Sequence, residues 1–162
     1  MTNKAEYKFI FDWILINKLA IGTCPTKEKD LNLLKKNNVK NILALCGEEE
    51  VKWNENIDND FSCYRFVLPD SHKKILPTAE QLRTSLNLLK DLVINDITFI
   101  HCVASMERSP LLCIMYVMEK YKLNVEDALD FVKRVHSETN PTNDQLLCIK
   151  DFIAKNSGET IL

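Results

Sequence analysis

Residues 97–118 read ITFIHCVASMERSPLLCIMYVM, and three kinds of pattern follow one another within this stretch. An apolar β-type run comes first, a short loop follows, and an apolar helical run begins at Leu111. Cys102 opens the loop and Arg108 closes it, with five residues between them. At such a junction, successive backbone N–H groups and the dipole of the following helix can bind a dianion.

Two side chains of this loop carry chemistry of their own. A cysteine beside a helix N-terminus loses its proton readily, because a thiolate is favoured where an anion binds. Arg108 presents a planar guanidinium that matches two oxygens of a phosphate group. The stretch therefore predicts a phosphate-binding site with Cys102 as nucleophile. The simpler alternative is a buried Cys at a strand end and an ordinary surface Arg.

The pattern His101-Cys102, five residues, Arg108-Ser109 resembles the signature loop of the cysteine-dependent protein tyrosine phosphatases. The segment WILINKLAIG at 13–22 and the length of 162 residues resemble the small (atypical) dual-specificity branch of that superfamily. The resemblance implies a hydrolase of phosphoric monoesters. Phosphotyrosine is the expected substrate, with phosphoserine and phosphothreonine as further candidates, and neither a metal nor another cofactor is expected.

The composition argues against several classes of protein. Apolar residues make up 46% and charged residues 27%, with a net charge of −2, which argues against a nucleic-acid or polybasic membrane partner. The apolar run at 9–16 is interrupted by Asp12 and is shorter than the roughly 20 residues that span a bilayer. Six scattered Cys without a secretion signal favour reduced thiols and a cytoplasmic location. We expect one domain over 1–162, a monomer.

The order of elements predicts an α/β fold with a mainly parallel central sheet of about four to five strands and helices on both faces. Residues 51–60 are polar and turn-rich, so we expect a surface connection there, and the acidic run that ends at Glu50 reads as a solvated loop. The sequence predicts a β-hairpin over 13–22, strands over 39–45, 61–68 and 97–100, and helices over 26–38, 77–95, 111–122, 125–136 and 143–155.

Three candidate side chains follow predicted strand ends, and the carboxyl edge of a parallel sheet is where ligands bind. These are Cys46, Asp70 and Cys102. By the family resemblance, Asp70 takes the role of general acid on a mobile loop; Asp58, Asp60 and Asp96 are other candidates without the strand-end setting. In the same loop, His72 and the pair 73–74 are either solvated charges or a basic border that attracts phosphorylated substrates.

The remaining roles also follow from the resemblance. Arg108 and the backbone N–H groups of Val103, Ala104, Ser105, Met106, Glu107 and Arg108 are expected to bind the phosphate oxygens. Ser109 is expected to donate a hydrogen bond to the sulfur, and His101 to orient the loop. Cys46 is a possible redox partner of Cys102, as seen in some relatives; the alternative is a small apolar side chain.

The loop also departs from the family. Ser105 occupies a position that usually holds Gly, so a positive φ there would cost about 1 kcal/mol. A phospho-binding module with weak catalysis therefore stays open. An arsenate reductase or sulfurtransferase with a similar Cys and Arg cradle is a further alternative, although neither needs an acid at Asp70. The loop has no added basic residues, which favours a phosphoprotein over a phosphoinositide.

Overall fold

The computed structural model of the chain describes residues 7–157. The predicted hairpin, the three further strands and all five helices are present, with ends that differ from the prediction by a few residues. The elements in chain order are β1 (Phe11–Leu15), β2 (Leu19–Gly22), α1 (Glu28–Lys36), β3 (Asn41–Ala44), β4 (Ser62–Arg65), α2 (Ala79–Asn95), β5 (Thr98–His101), α3 (Arg108–Tyr121), α4 (Val125–Val135) and α5 (Asn143–Ser157).

The five strands form one sheet in the order β1-β2-β5-β3-β4. Strand β1 pairs antiparallel with β2, and the other three pairings are parallel. Strand β5 lies at the centre, where its last residue, His101, is paired with Gly22 of β2 and Ala44 of β3. The prediction of a mainly parallel sheet is confirmed. The loop after His101 therefore starts at the middle of the carboxyl edge.

Helices cover both faces of the sheet, as predicted. On one face, buried side chains of α2, α3, α4 and α5 form the larger core with Leu43 and Ile100. On the other face, Leu31 and Leu34 of α1 pack with Ile42 and Phe99. Because adjacent residues of a strand point to opposite faces, β5 contributes to both cores and is buried along its whole length.

Capping residues mark the starts of α2 and α4 close to where the sequence predicts them. Thr78 and Gln81 form a capping box at α2, with side-chain to backbone hydrogen bonds of 3.1 and 2.9 Å. The side chain of Asn124 accepts a hydrogen bond from the Asp127 N–H at 2.8 Å at the start of α4. None of the helices within residues 7–157 is long and apolar enough to cross a membrane. The single domain over 1–162 stays a prediction, since its ends lie outside the described residues.

Candidate active site

The thiol of Cys102 lies directly after the central strand and faces the start of α3. Its Sγ is 3.2 Å from Oγ of Ser109, and both side chains are buried, Cys102 to 3% exposure. Helix α3 begins at Arg108, so the backbone between the two residues leads onto a helix N-terminus. A hydroxyl at that distance can donate a hydrogen bond to a thiolate and stabilise its negative charge.

His101 is a neutral imidazole with a defined tautomer. Its Nδ1 lies 2.9 Å from the carbonyl oxygen of Cys102 and therefore carries the proton, while Nε2 accepts a hydrogen bond from the indole N–H of Trp53 at 2.6 Å. Burial lowers the pKa of His101 to about 4, consistent with this pattern. The ring thus joins the loop backbone to the segment at 51–60.

The segment at 51–60 makes packing contacts that the sequence did not indicate. Trp53 is half-buried and packs under the guanidinium of Arg65, 4.3 Å from its ring centroid. The prediction of a mere surface connection is wrong at Trp53 and at Ile57, which is buried. An isolated Trp in a polar segment was the available signal, since such a large apolar side chain is rarely left without a packing partner.

Arg108 is held by a carboxylate from outside its own loop. Its Nη2 and Nη1 donate to Oε1 and Oε2 of Glu50 at 2.8 and 3.1 Å, and Nη1 also approaches the carbonyl oxygen of Leu68 at 3.3 Å. Oε2 of Glu50 accepts a further hydrogen bond from the Gly47 N–H at 2.8 Å. Hydrogen bonding to Arg108 lowers the pKa of Glu50 despite its partial burial. The prediction that the acidic run is solvated is therefore wrong at Glu50.

The middle of the loop adopts the backbone geometry anticipated for a glycine. Ser105 has φ of 59°, so the strain expected for a residue with a Cβ is present. Its side chain is fully buried, whereas Ala104 and Met106 are exposed at the rim. Ser105 contacts His136, a residue that sequence reasoning did not select: the serine Oγ is 3.0 Å from Nε2 of the imidazole.

The loop after β4 brings Asp70 to the carboxyl edge of the sheet. Its carboxylate accepts a hydrogen bond from the His72 N–H at 3.1 Å and caps a short 3₁₀ turn at Ser71–Lys73. The hydroxyl of Ser71 donates to the carboxylate of Glu107, which ties this loop to the loop at 102–108. The structure thus places Asp70 in a loop that is attached to the one beginning at Cys102.

The other candidate acids lie at the opposite edge. Asp58 and Asp60 come before β4, and Asp96 caps the end of α2 just before β5. They occupy the amino ends of strands, whereas Asp70 follows the carboxyl end of β4 and Cys102 that of β5. Of these four aspartates, Asp70 is the one at the same edge of the sheet as the thiol of Cys102.

Cys46 follows β3, the strand next to β5, and is fully buried. Burial raises the pKa of its thiol to about 11, with the neighbouring Cys102 adding to the effect. Its carbonyl oxygen accepts a hydrogen bond from Arg65. All six cysteines, which lie within the described residues, are free thiols. Across residues 7–157, no three His, Cys, Asp or Glu side chains are grouped so that they could hold a metal ion.

A family model, "Dual specificity phosphatase, catalytic domain", matches residues 20–152. The dual specificity protein phosphatase 7 of Homo sapiens is 38% identical over 53 residues, which are 33% of this chain and 13% of that protein. The chain therefore matches a small part of that relative's length.

Solved structures share the fold over nearly the whole chain. Tk-PTP in its active form has a TM-score of 0.75 at 20% identity, with 88% of this chain and 95% of that one covered. The human tyrosine phosphatase-like serine/threonine/tyrosine-interacting protein has a TM-score of 0.76 at 18% identity, with 90% and 97% covered. At such low identity these likenesses show a common fold alone.

Proposed function

Because the chain belongs to the family of dual specificity phosphatase catalytic domains, whose model matches residues 20–152, we propose that it is a phosphoprotein phosphatase acting through a phosphocysteine intermediate. One observation carries the proposal: the thiol of Cys102, at the carboxyl end of the central strand, lies 3.2 Å from the Ser109 hydroxyl at the start of α3. A nucleophile, a group that stabilises its charge and a helix N-terminus for the phosphate thus coincide.

In the first step, the thiolate of Cys102 attacks phosphorus in line with the leaving oxygen. The S–P bond forms as the O–P bond breaks, and Asp70 in its acid form gives its proton to the departing alkoxide or phenoxide. The guanidinium of Arg108 and the N–H groups of 103–108 stabilise the negative charge on the three other phosphate oxygens. No cofactor takes part in this step.

In the second step, water attacks the phosphocysteine. Asp70, now a carboxylate, accepts the proton of that water, the S–P bond breaks and inorganic phosphate leaves. Ser109 eases this step because its hydroxyl donates to the sulfur that regains a negative charge. The proposed substrates are phosphotyrosine and, as further candidates, phosphoserine and phosphothreonine in proteins. A monomer with a cytoplasmic location, acting neither on nucleic acid nor at membranes, completes the proposal.

The first experiment measures hydrolysis of an aryl phosphate at mildly acidic pH. Cys102→Ser is expected to abolish turnover. Asp70→Asn is expected to lower kcat about 10²- to 10⁴-fold for a poor leaving group and to remove the basic limb of the pH profile. Asp96→Asn is the matched control and should retain full activity, because Asp96 lies at the amino end of β5. Equal losses in both Asp variants would contradict the role of Asp70.

A second candidate function is a phospho-binding module that turns over slowly. The observation that favours it is the engagement of both Nη atoms of Arg108 by Glu50, which leaves fewer guanidinium N–H groups for a phosphate. In that case the reduced protein would show no phosphate release from an aryl phosphate or a phosphopeptide. Inorganic phosphate or vanadate would still raise its melting temperature, and Arg108→Ala would remove this protection.

A further inference from the structure

A buried histidine connects the phosphate-binding loop to the first strand. His136 follows α4 and has no exposed surface. Its Nδ1 is 2.7 Å from Oδ2 of Asp12 in β1, and its Nε2 lies 3.0 Å from Oγ and 2.7 Å from the carbonyl oxygen of Ser105. The order serine, histidine, aspartate resembles a hydrolase triad, but the hydroxyl of Ser105 is buried against His136 and does not face a substrate.

Each nitrogen of the ring has a polar partner. Nδ1 faces the carboxylate of Asp12, which is an acceptor. Nε2 faces both the carbonyl oxygen and the hydroxyl of Ser105, and the carbonyl oxygen is the nearer of the two. The ring therefore links β1 to the backbone of the loop.

The contact with the carbonyl group also sets the direction of a peptide plane. In a trans peptide the C=O and N–H bonds point in opposite directions. The carbonyl of Ser105 turns toward His136, so the N–H of Met106 in the same plane turns away from it. The Asn140 N–H donates to the carbonyl of Met106 at 2.7 Å, so this carbonyl turns toward Asn140. The N–H of Glu107, in the same peptide plane, therefore points away from Asn140. Two loop N–H groups therefore point away from the segment at 136–140.

We propose that His136, held by Asp12, is a positioning residue that fixes the peptide between Ser105 and Met106 and so orients the Met106 N–H for an oxyanion. The inference rests on the proposed function, since that N–H group is among those assigned to the phosphate. The charged group in contact with the ring from β1 is Asp12, and the loop contributes the hydroxyl and carbonyl of Ser105.

This role accounts for two features of the sequence. Asp12, the charge that interrupts the apolar run at 9–16, has a partner 124 residues later in the sequence. Ser105 adopts φ of 59° at the cost of strain, and its side chain supplies a contact with His136 that glycine could not make. The hydroxyl and the carbonyl of one strained residue are thus both fixed by one ring.

The test measures binding of tungstate, an oxyanion, to the full chain by calorimetry at one neutral pH. His136→Ala removes both contacts of the ring and is expected to raise the Kd for tungstate about tenfold. An unchanged Kd in this variant would overturn the inference.

Further variants separate a positioning role from a merely structural one. His136→Arg keeps N–H donors at this position and is expected to bind tungstate about as tightly as the native chain. Asp12→Asn should weaken binding, whereas the exposed Asp130→Asn on α4 is the matched control and should not. Weak binding by a folded His136→Arg variant would overturn the proposal.

A measurement without substitution guards against variants that fail to fold. In the ¹H–¹⁵N spectrum of the native chain, tungstate is expected to shift the backbone N–H signal of Met106, because this group is the one directed at the oxyanion. An unchanged Met106 signal with tungstate bound would refute the inference. If tungstate does not bind, this inference fails as well. Hydrolysis of an aryl phosphate, measured separately, decides the proposed function.

Discussion

At the scale of single residues, the phosphate-binding loop is held by side chains that come from other parts of the chain. Glu50 engages the guanidinium of Arg108, Trp53 fixes the tautomer of His101, and His136 contacts Ser105. Each contact is at least partly buried, where an ionic or polar hydrogen bond is stronger than at the surface. The reactive geometry is therefore a property of the surroundings of the loop as much as of its own sequence.

Replacement of Glu50 tests this view. In Glu50→Gln the amide can accept only one of the two hydrogen bonds that Arg108 donates and has no charge, so the guanidinium loses its fixed orientation. We expect kcat/KM for an aryl phosphate to fall about tenfold, a size typical for a charge-assisted hydrogen bond. The exposed Glu48→Gln is the control and should be unchanged. A rise in kcat/KM would instead mean that Glu50 restrains Arg108 from the substrate.

At the scale of elements, periodic patterns and caps predicted the strands and helices well because they are local. The hairpin, the α2 capping box and the Asn124 cap each depend on residues close in sequence. The path of a loop decides which carboxylate of the run at 48–50 turns inward. A local sequence pattern does not determine that path. The contact between His136 and Ser105 likewise joins segments far apart in the chain, and it had no signal beyond the unusual Ser105.

The loop that carries Asp70 gives an element-scale prediction. Ser71 donates to Glu107 and so attaches this loop to the rim of the phosphate-binding loop. Ser71→Ala should loosen the attachment and misplace the acid, lowering kcat/KM several-fold for an alkyl phosphate. An aryl phosphate with a good leaving group needs little acid assistance and should be affected less. Ser71→Thr keeps the hydroxyl and serves as control. Equal losses with both leaving groups would show that the attachment does not act through Asp70.

Cys46 and Cys102 follow neighbouring strands, β3 and β5. A reversible disulfide between them stays a prediction that the geometry does not test. Peroxide would oxidise the Cys102 thiolate to a sulfenic acid and be reduced to water. The Cys46 thiol would then attack that sulfur, form the S–S bond and release a second water. Peptide mass spectrometry after mild peroxide should show a Cys46–Cys102 link that is lost in Cys46→Ser, while Cys148→Ser retains it. A link from Cys102 to Cys113 instead would contradict this pairing.

At the scale of the whole molecule, the site and the core share the central strand. Strand β5 contributes Phe99 to one core, Ile100 to the other, and ends in His101, which is buried with the site. The two layers of helices therefore exclude water from the ring of His101, and burial lowers its pKa to about 4. A charge on this ring is unfavourable in the folded state alone, so the stability of the whole domain is linked to pH.

The sign and the window of that linkage follow from the two pKa values. His101 has a pKa of about 4 when folded, against an ordinary value of 6.5. Above 6.5 the ring is neutral in both states, and its contribution to stability is complete. As the pH falls from 6.5 toward 4, only the unfolded chain gains a proton, so the free energy of unfolding should decrease by about 3 kcal/mol in total. Urea unfolding at a series of pH values measures this decrease.

The variant His101→Gln isolates the contribution, because glutamine can accept the hydrogen bond from Trp53 but does not titrate. Its free energy of unfolding should be lower than that of the native chain at neutral pH. It should also decline less between about pH 6.5 and about pH 4. His72→Gln removes a histidine on the exposed turn and should leave the native pH dependence in place. If native and His101→Gln proteins lose stability in parallel, the ring of His101 is not held neutral by the fold.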